Sequence, residues 1–180
     1  MQSCIQVRAS MPADASAIAA IYSPHVLYGI ASFEVEMPNA EEVLRRREAI
    51  LELGLPYLVA EIDGEVAGYT YASRFRPRSA YRFTVENSVY VAERFQRQGV
   101  ARLLVQRLIE LCSNAGMREM IAVIADPSIS IASVALHRSL GFDEVGVLRA
   151  VGEKFGRPVD VLLLQRSLLQ RKDDSSATSA

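Results

Sequence analysis

The chain lacks most of what would tie it to a metal, a membrane or a charged polymer. Its two cysteines, Cys4 and Cys112, stand far apart without metal or redox spacing, so reduced thiols in a cytoplasm are the expectation. Cys112 follows Leu111 in an apolar helical pattern and reads as packing. No apolar run reaches membrane-spanning length, and Met1 to Arg8 lack the apolar core of a signal peptide. A formal charge of −1 argues against a broad nucleic-acid footprint. No glycine leads into a Lys-Ser or Lys-Thr pair, and no Gly-x-Gly-x-x-Gly occurs, which excludes nucleotide P-loops and dinucleotide sites. Repeats and interdomain linkers are missing too. No metal is expected.

What remains is enough for a core. Half of the 180 residues are hydrophobic, sufficient for one packed domain over residues 1–170, with the small polar run 171–180 reading as a disordered tail. Strand and helix patterns alternate throughout. Ile5–Ala9 reads as a strand, and Pro12 opens a helix through Ile18 and Ile21. Asn39 reads as the N-cap of a helix from Ala40 to about Leu53, stopped by Gly54. Tyr57–Ile62, the turn Asp63-Gly64 and Glu65–Tyr71 form a hairpin. Further strands are expected at Phe83–Val91, Met120–Ala125, Asp143–Val151 and Val159–Leu168.

The strand ending Val89, Tyr90, Val91 runs into Gln96-Arg97-Gln98-Gly99-Val100-Ala101, and a helix pattern follows through Leu103, Leu104, Leu108 and Leu111. A strand–turn–helix unit offers free backbone N–H groups and the positive end of a helix dipole to an anion. Gly99 and Ala101 keep side chains clear, so main chain itself approaches a pyrophosphate. A tight connection without a ligand is the plain alternative. Arg97 and Arg102 flank the loop and add positive charge. Later, residues Ser130 to Phe142 form a helix ending Leu140-Gly141-Phe142, where Gly141 suits a left-handed C-terminus.

General acid–base chemistry at an amine is one use these residues suit. An α-ammonium must lose a proton before it attacks, so a base is required. Thr84, Glu86, Ser88 and Tyr90 share one strand face, opposite Phe83, Val85, Val89 and Val91. Glu86, mid-strand and just before the loop, is the candidate base; otherwise it is a solvated glutamate. His137, one turn before Gly141, is a candidate acid or proton relay; otherwise it caps or packs its helix. His25 has no such context and reads as structural. Arg74 to Arg82 holds four arginines in nine residues, either a solvated loop or a fork for a carboxylate.

The Gln-x-x-Gly-x-Ala loop and the Leu-Gly-Phe helix, in this order, resemble the two signatures of the GNAT superfamily of N-acetyltransferases. Phe33, Arg76 to Tyr81, Thr84 to Val91, His137 and Arg149 to Gly156 are similar to its phosphinothricin/methionine sulfoximine group, over Ile5 to about Leu168. The resemblance implies an α/β fold with a mixed, mostly antiparallel sheet, whose splayed strands bind acetyl-CoA as cosubstrate. It also implies a small amino-acid-like acceptor and a homodimer. Cofactor contacts carry over to Val89, Tyr90, Val91, Gln96, Arg97, Gln98, Gly99, Val100, Ala101, Arg102, Ser130 and Ser133, with the Val91 N–H on the thioester oxygen. Substrate contacts carry over to Phe33, Arg76, Arg78, Tyr81 and Ser88, and catalysis to Glu86 and His137. Ser130 stands where the family usually has asparagine, and Glu153 and Pro158 where similar sequences show aromatics. Two rival functions stay open: acetylation of a protein N-terminus or lysine, and a non-catalytic acyl-CoA sensor.

Overall fold

Residues 4–169 are described by the computed structural model. In chain order they form β1 (Ile5–Ala9), a 3₁₀ turn at Pro12–Asp14, α1 (Ala15–Leu27), α2 (Ala40–Glu52), β2 (Tyr57–Ile62) and β3 (Glu65–Arg74). Then come β4 (Thr84–Val91), α3 (Val100–Asn114), β5 (Glu119–Ala125), α4 (Ile131–Ser139), β6 (Asp143–Lys154) and β7 (Arg157–Ser167). The tail expected at 171–180 lies outside the described residues.

Local chemistry sets the element ends. The Asn39 side chain accepts the Glu42 N–H at 2.8 Å, capping α2, and Gly54 takes φ +71° just beyond its end. The helix expected from Pro12 starts as a 3₁₀ turn because the Asp14 carboxylate accepts the Met11 N–H and two Arg8 N–H groups. β3 runs three residues past the expected Tyr71, since its pairing with β4 continues to Arg74↔Val85. β6 likewise continues past Val151 to Lys154, where the turn Phe155-Gly156 takes positive φ at both residues.

The strands make one sheet in the order β1-β2-β3-β4-β5-β7-β6, antiparallel everywhere except β4–β5. α3 covers one face with Val100, Leu104, Val105, Leu108 and Cys112, all buried. Leu103, expected in that stripe, is 39% exposed, and Val105 takes its place. Leucine and valine are both apolar, so only the position of the sheet decided which edge of the stripe turned inward. Tyr22 on α1 covers the other face, edge-on to the Tyr90 ring at 4.9 Å.

The parallel pair decides the function of the sheet. β4 and β5 pair only at Thr84–Asn87 with Glu119–Ala122. Beyond Asn87, β4 keeps β3 alone and β5 keeps β7 alone. The two strands therefore part in the middle of the sheet, leaving the β5-side edge of Ser88–Val91 without a strand partner.

Candidate active site at the parted strands

A cavity of about 510 Å³ occupies this opening and is reached by both faces of β4. Glu86, Ser88 and Tyr90 line it from the α1 face, and Asn87 and Val89 from the other. The side-chain alternation expected for the strand holds, with Asn87 added to the Val85 face.

Glu86 stands opposite Ser73 on β3 and Ile121 on β5. Its carboxylate has no hydrogen bond or ion pair among the described residues, and burial raises it above the ordinary carboxylate range. Around it the face is aromatic: Tyr57, Tyr69 and Tyr71 stack on one another and Tyr90 stacks on Tyr69, with centroids 5.1–6.3 Å apart. Burial against such a wall makes the Glu86 carboxylate a stronger proton acceptor than an exposed one, the direction a general base requires.

His137 lies across the sheet from Glu86. It is 2% exposed, with Nδ1 at 2.8 Å from the Ser133 carbonyl and Nε2 at 3.0 Å from Asn87 Nδ2. Its ring meets Phe142 edge-on at 5.0 Å, and burial lowers its pKa. Glu86 and His137 thus border one cavity from opposite faces, and both imidazole nitrogens are already engaged. His25, read as structural, packs on the Tyr90 ring at 5.2 Å and lines a separate cavity of about 850 Å³ beside α1.

At the far end of β4 the glycine loop leaves the head of α3 open. Gly99 adopts φ +89° as the N-cap of α3, and nothing lies within 4 Å of the place a Cβ would take. Gln96, Arg97, Gln98 and Gly99 are exposed, and the first-turn N–H groups of Val100, Ala101 and Arg102 open the helix. Arg97 makes no ion pair among the described residues. Arg102 is turned toward α4, donating to Ser139 Oγ at 2.8 Å, so Arg97 is the better placed of the two for an anion. Ser130 and Ser133 line the cavity. The Ser130 hydroxyl donates to the Ala125 carbonyl at 2.7 Å, which ties α4 to the end of β5.

The acceptor side departs from expectation. Phe33 and Ser88 line the cavity, but Arg76, Arg78 and Tyr81 do not. They sit exposed on the β3–β4 connection, where the Arg76 guanidinium stacks on Phe75 and Tyr81 at 5.2 and 5.8 Å. That connection satisfies itself in solvent, so no preassembled clamp surrounds Glu86. Glu153 and Pro158 are exposed and face each other on the β6–β7 hairpin, away from the cavity lining.

Three cavity-side contacts escaped the sequence. Glu34 receives two Arg46 N–H bonds at 2.7 and 3.0 Å and the Tyr22 hydroxyl at 2.9 Å. Lys154, 5% exposed, donates to the His25 carbonyl at 3.1 Å and to the Ser32 carbonyl. The Phe33 ring presses on Gly152, where a Cβ would fall 2.4 Å from Cε2. The Lys154 and Gly152 contacts lash residues 25–33 to the β6–β7 hairpin, and the Glu34 contacts tie the end of the segment to α1 and α2. None of these pairings is legible in sequence, because each joins residues more than ten positions apart.

Sheet, splay and loop together match a known architecture. The Acetyltransferase (GNAT) domain model matches residues 7–163. This chain belongs to the GNAT acetyltransferase family. It is 49% identical over 162 residues to a phosphinothricin N-acetyltransferase of Alcaligenes faecalis, covering 90% of this chain and 82% of the relative. It is 38% identical over 162 residues to an L-methionine sulfoximine/L-methionine sulfone acetyltransferase of Salmonella typhimurium, covering 90% and 94%. The crystal structure of a Sinorhizobium meliloti phosphinothricin acetyltransferase in complex with acetyl-CoA superposes with a TM-score of 0.86 at 40% identity, covering 93% and 89%. Among the described residues no helix is long and apolar enough to cross a membrane, and no cluster of three or more His, Cys, Asp or Glu side chains is placed to hold a metal.

Proposed function

We propose that this GNAT acetyltransferase acetylates the α-amine of a small amino acid or analogue, of the methionine sulfoximine, methionine sulfone or phosphinothricin type, with acetyl-CoA as donor. The carrying observation is the partnerless Glu86 carboxylate on the aromatic side of the splay. The donor fits what this chain offers: a left-handed glycine with open space at the head of α3, an unpaired strand edge, and a buried amide oxygen without a donor. When bound, acetyl-CoA supplies the activated acyl group. Val100, Ala101, Arg102 and Arg97 hold its phosphates, and the β4 edge at Val89–Val91 holds its arm. Glu86 takes the ammonium proton of the acceptor from the opposite face. Transfer is direct, because neither cysteine lines the cavity: Cys4 stands exposed ahead of β1, and Cys112 is fully buried with its thiol pushed up to about 12. Release of free thiol from acetyl-CoA across a panel of amino acids tests the proposal, and no release with any α-amino acid would refute it.

Arg76 and Arg78 supply carboxylate recognition from the exposed β3–β4 connection, where neither makes an ion pair among the described residues. Arg78→Ala is expected to raise KM for an α-amino acid about tenfold, the weight of one charge-assisted hydrogen bond. KM for the corresponding decarboxylated amine stays unchanged. Equal effects on both acceptors would remove the arginines from recognition and favour a protein substrate. That rival is disfavoured by the lashing of residues 25–33 over the acceptor side, which leaves a cavity in place of a peptide groove.

The enzyme acts as a cytoplasmic homodimer in this reading. β6 is an outer strand of the sheet, and it exposes Val145, Val147, Leu148 and Val151 along its length. An unpaired apolar edge is a pairing surface for a second copy. Sedimentation should give twice the chain mass for the wild type, and Val147→Lys should shift it toward the monomer.

A further inference from the structure

Asn87 Oδ1 is the buried side-chain polar atom without a hydrogen-bond partner among the described residues, on a side chain 6% exposed. Its orientation is not arbitrary. The Ser133 carbonyl only accepts, so His137 Nδ1 carries the proton and Nε2 keeps its lone pair. Nε2 therefore takes an N–H from Asn87, which forces the amide oxygen to point elsewhere. Asn87 lines the splay cavity and is the last β4 residue paired with β5, at the vertex where the strands part. It projects from the face opposite Glu86, on the α3 and α4 side. A buried amide oxygen at that place is a standing cost unless a ligand brings a donor.

We propose that Asn87 Oδ1 accepts the N–H of the pantetheine amide nearest the thioester, and that His137 is the positioning residue that holds the Asn87 amide in this orientation. The deepest point of the cleft receives the reacting end of the arm, and that amide is the N–H donor closest to it. This rests on acetyl-CoA being the donor. It changes the part played by His137, which aims an acceptor at the arm and transfers no proton.

Calorimetric titration of the full chain separates the possibilities with three probes. They are CoA, 3′-phosphoadenosine 5′-diphosphate (which lacks the arm), and a CoA analogue with an ester in place of that amide. The wild type should bind the ester analogue about tenfold more weakly than CoA, the size of one hydrogen bond left unmade in a buried site. Asn87→Ala should bind CoA about tenfold more weakly, show no preference between CoA and the ester analogue, and bind the armless nucleotide as the wild type does. His137→Phe keeps the ring packing on Phe142 and should lose the same arm-specific affinity, with no further loss in the double variant. Nitrogen-15 NMR should show His137 as the Nδ1–H tautomer at neutral pH. Equal wild-type affinity for CoA and the ester analogue, or equal weakening of CoA and the armless nucleotide by Asn87→Ala, overturns the inference while the donor assignment stands. An Nε2–H tautomer overturns the positioning role. A wild type that binds neither CoA nor the armless nucleotide overturns the donor assignment, and this inference with it.

Discussion

Glu86→Gln is expected to fold, to keep or raise its melting temperature, and to lose about two to four decades of kcat, the usual weight of a general base. Activity and stability separate here because the carboxylate is desolvated and has no partner among the described residues. An acid whose folded-state pKa lies above its unfolded value costs stability at pH values above the folded pKa. That cost fades as pH falls through the folded value toward the ordinary one. Relative to Glu86→Gln, the wild type should therefore gain stability on acidification through that window. Over the same window kcat should drop, as the base becomes protonated. Glutamine keeps the shape without the charge, so acetyl-CoA affinity should stay within about twofold. Stopped assays and thermal melts from neutral to mildly acid pH measure both halves. A Glu86→Gln enzyme turning over near the wild-type rate at pH 7 would remove Glu86 from proton transfer.

Gly99→Asp should abolish the stabilisation that acetyl-CoA confers. A ligand bound only by the native state adds about 2.7 kcal/mol at a hundredfold excess over Kd. The substitution sets a carboxylate against the phosphates at the head of α3, where open space now lies. The left-handed backbone at φ +89° also strains any L side chain, so the variant should melt below the wild type even without ligand. Gly99→Asn carries nearly the same strain without the charge and isolates the electrostatic part. It should keep much of the ligand shift. A folded Gly99→Asp protein with the full wild-type shift would show that the loop does not seat the cofactor.

Most of the fold was legible because its signals are local. Asn39 as a cap, Gly54 and Gly141 as left-handed stops, Asp63-Gly64 as a hairpin turn and the strand alternation around Glu86 each depend on residues within a few positions. The turn before α3 belongs with them, because a left-handed Gly99 between a strand and a helix is set by its immediate neighbours.

Tertiary structure decided what depends on how distant segments meet. Which edge of the α3 stripe turned inward, Val105 or Leu103, followed from where the sheet lay. That Glu86 and His137 occupy opposite faces came from strand pairing and from α4 docking beside β5. The arginine run, suggestive as charge alone, folded onto its own aromatics outside the cavity. The Lys154 lash and the Asn87–His137 bond join residues 122 and 50 positions apart. The sequence alone determined the main elements, the glycine loop and the strand face that carries Glu86. Only the packed chain decided which polar groups find partners and which are left for a ligand, because a hydrogen bond between remote residues exists only after the sheet has brought them together.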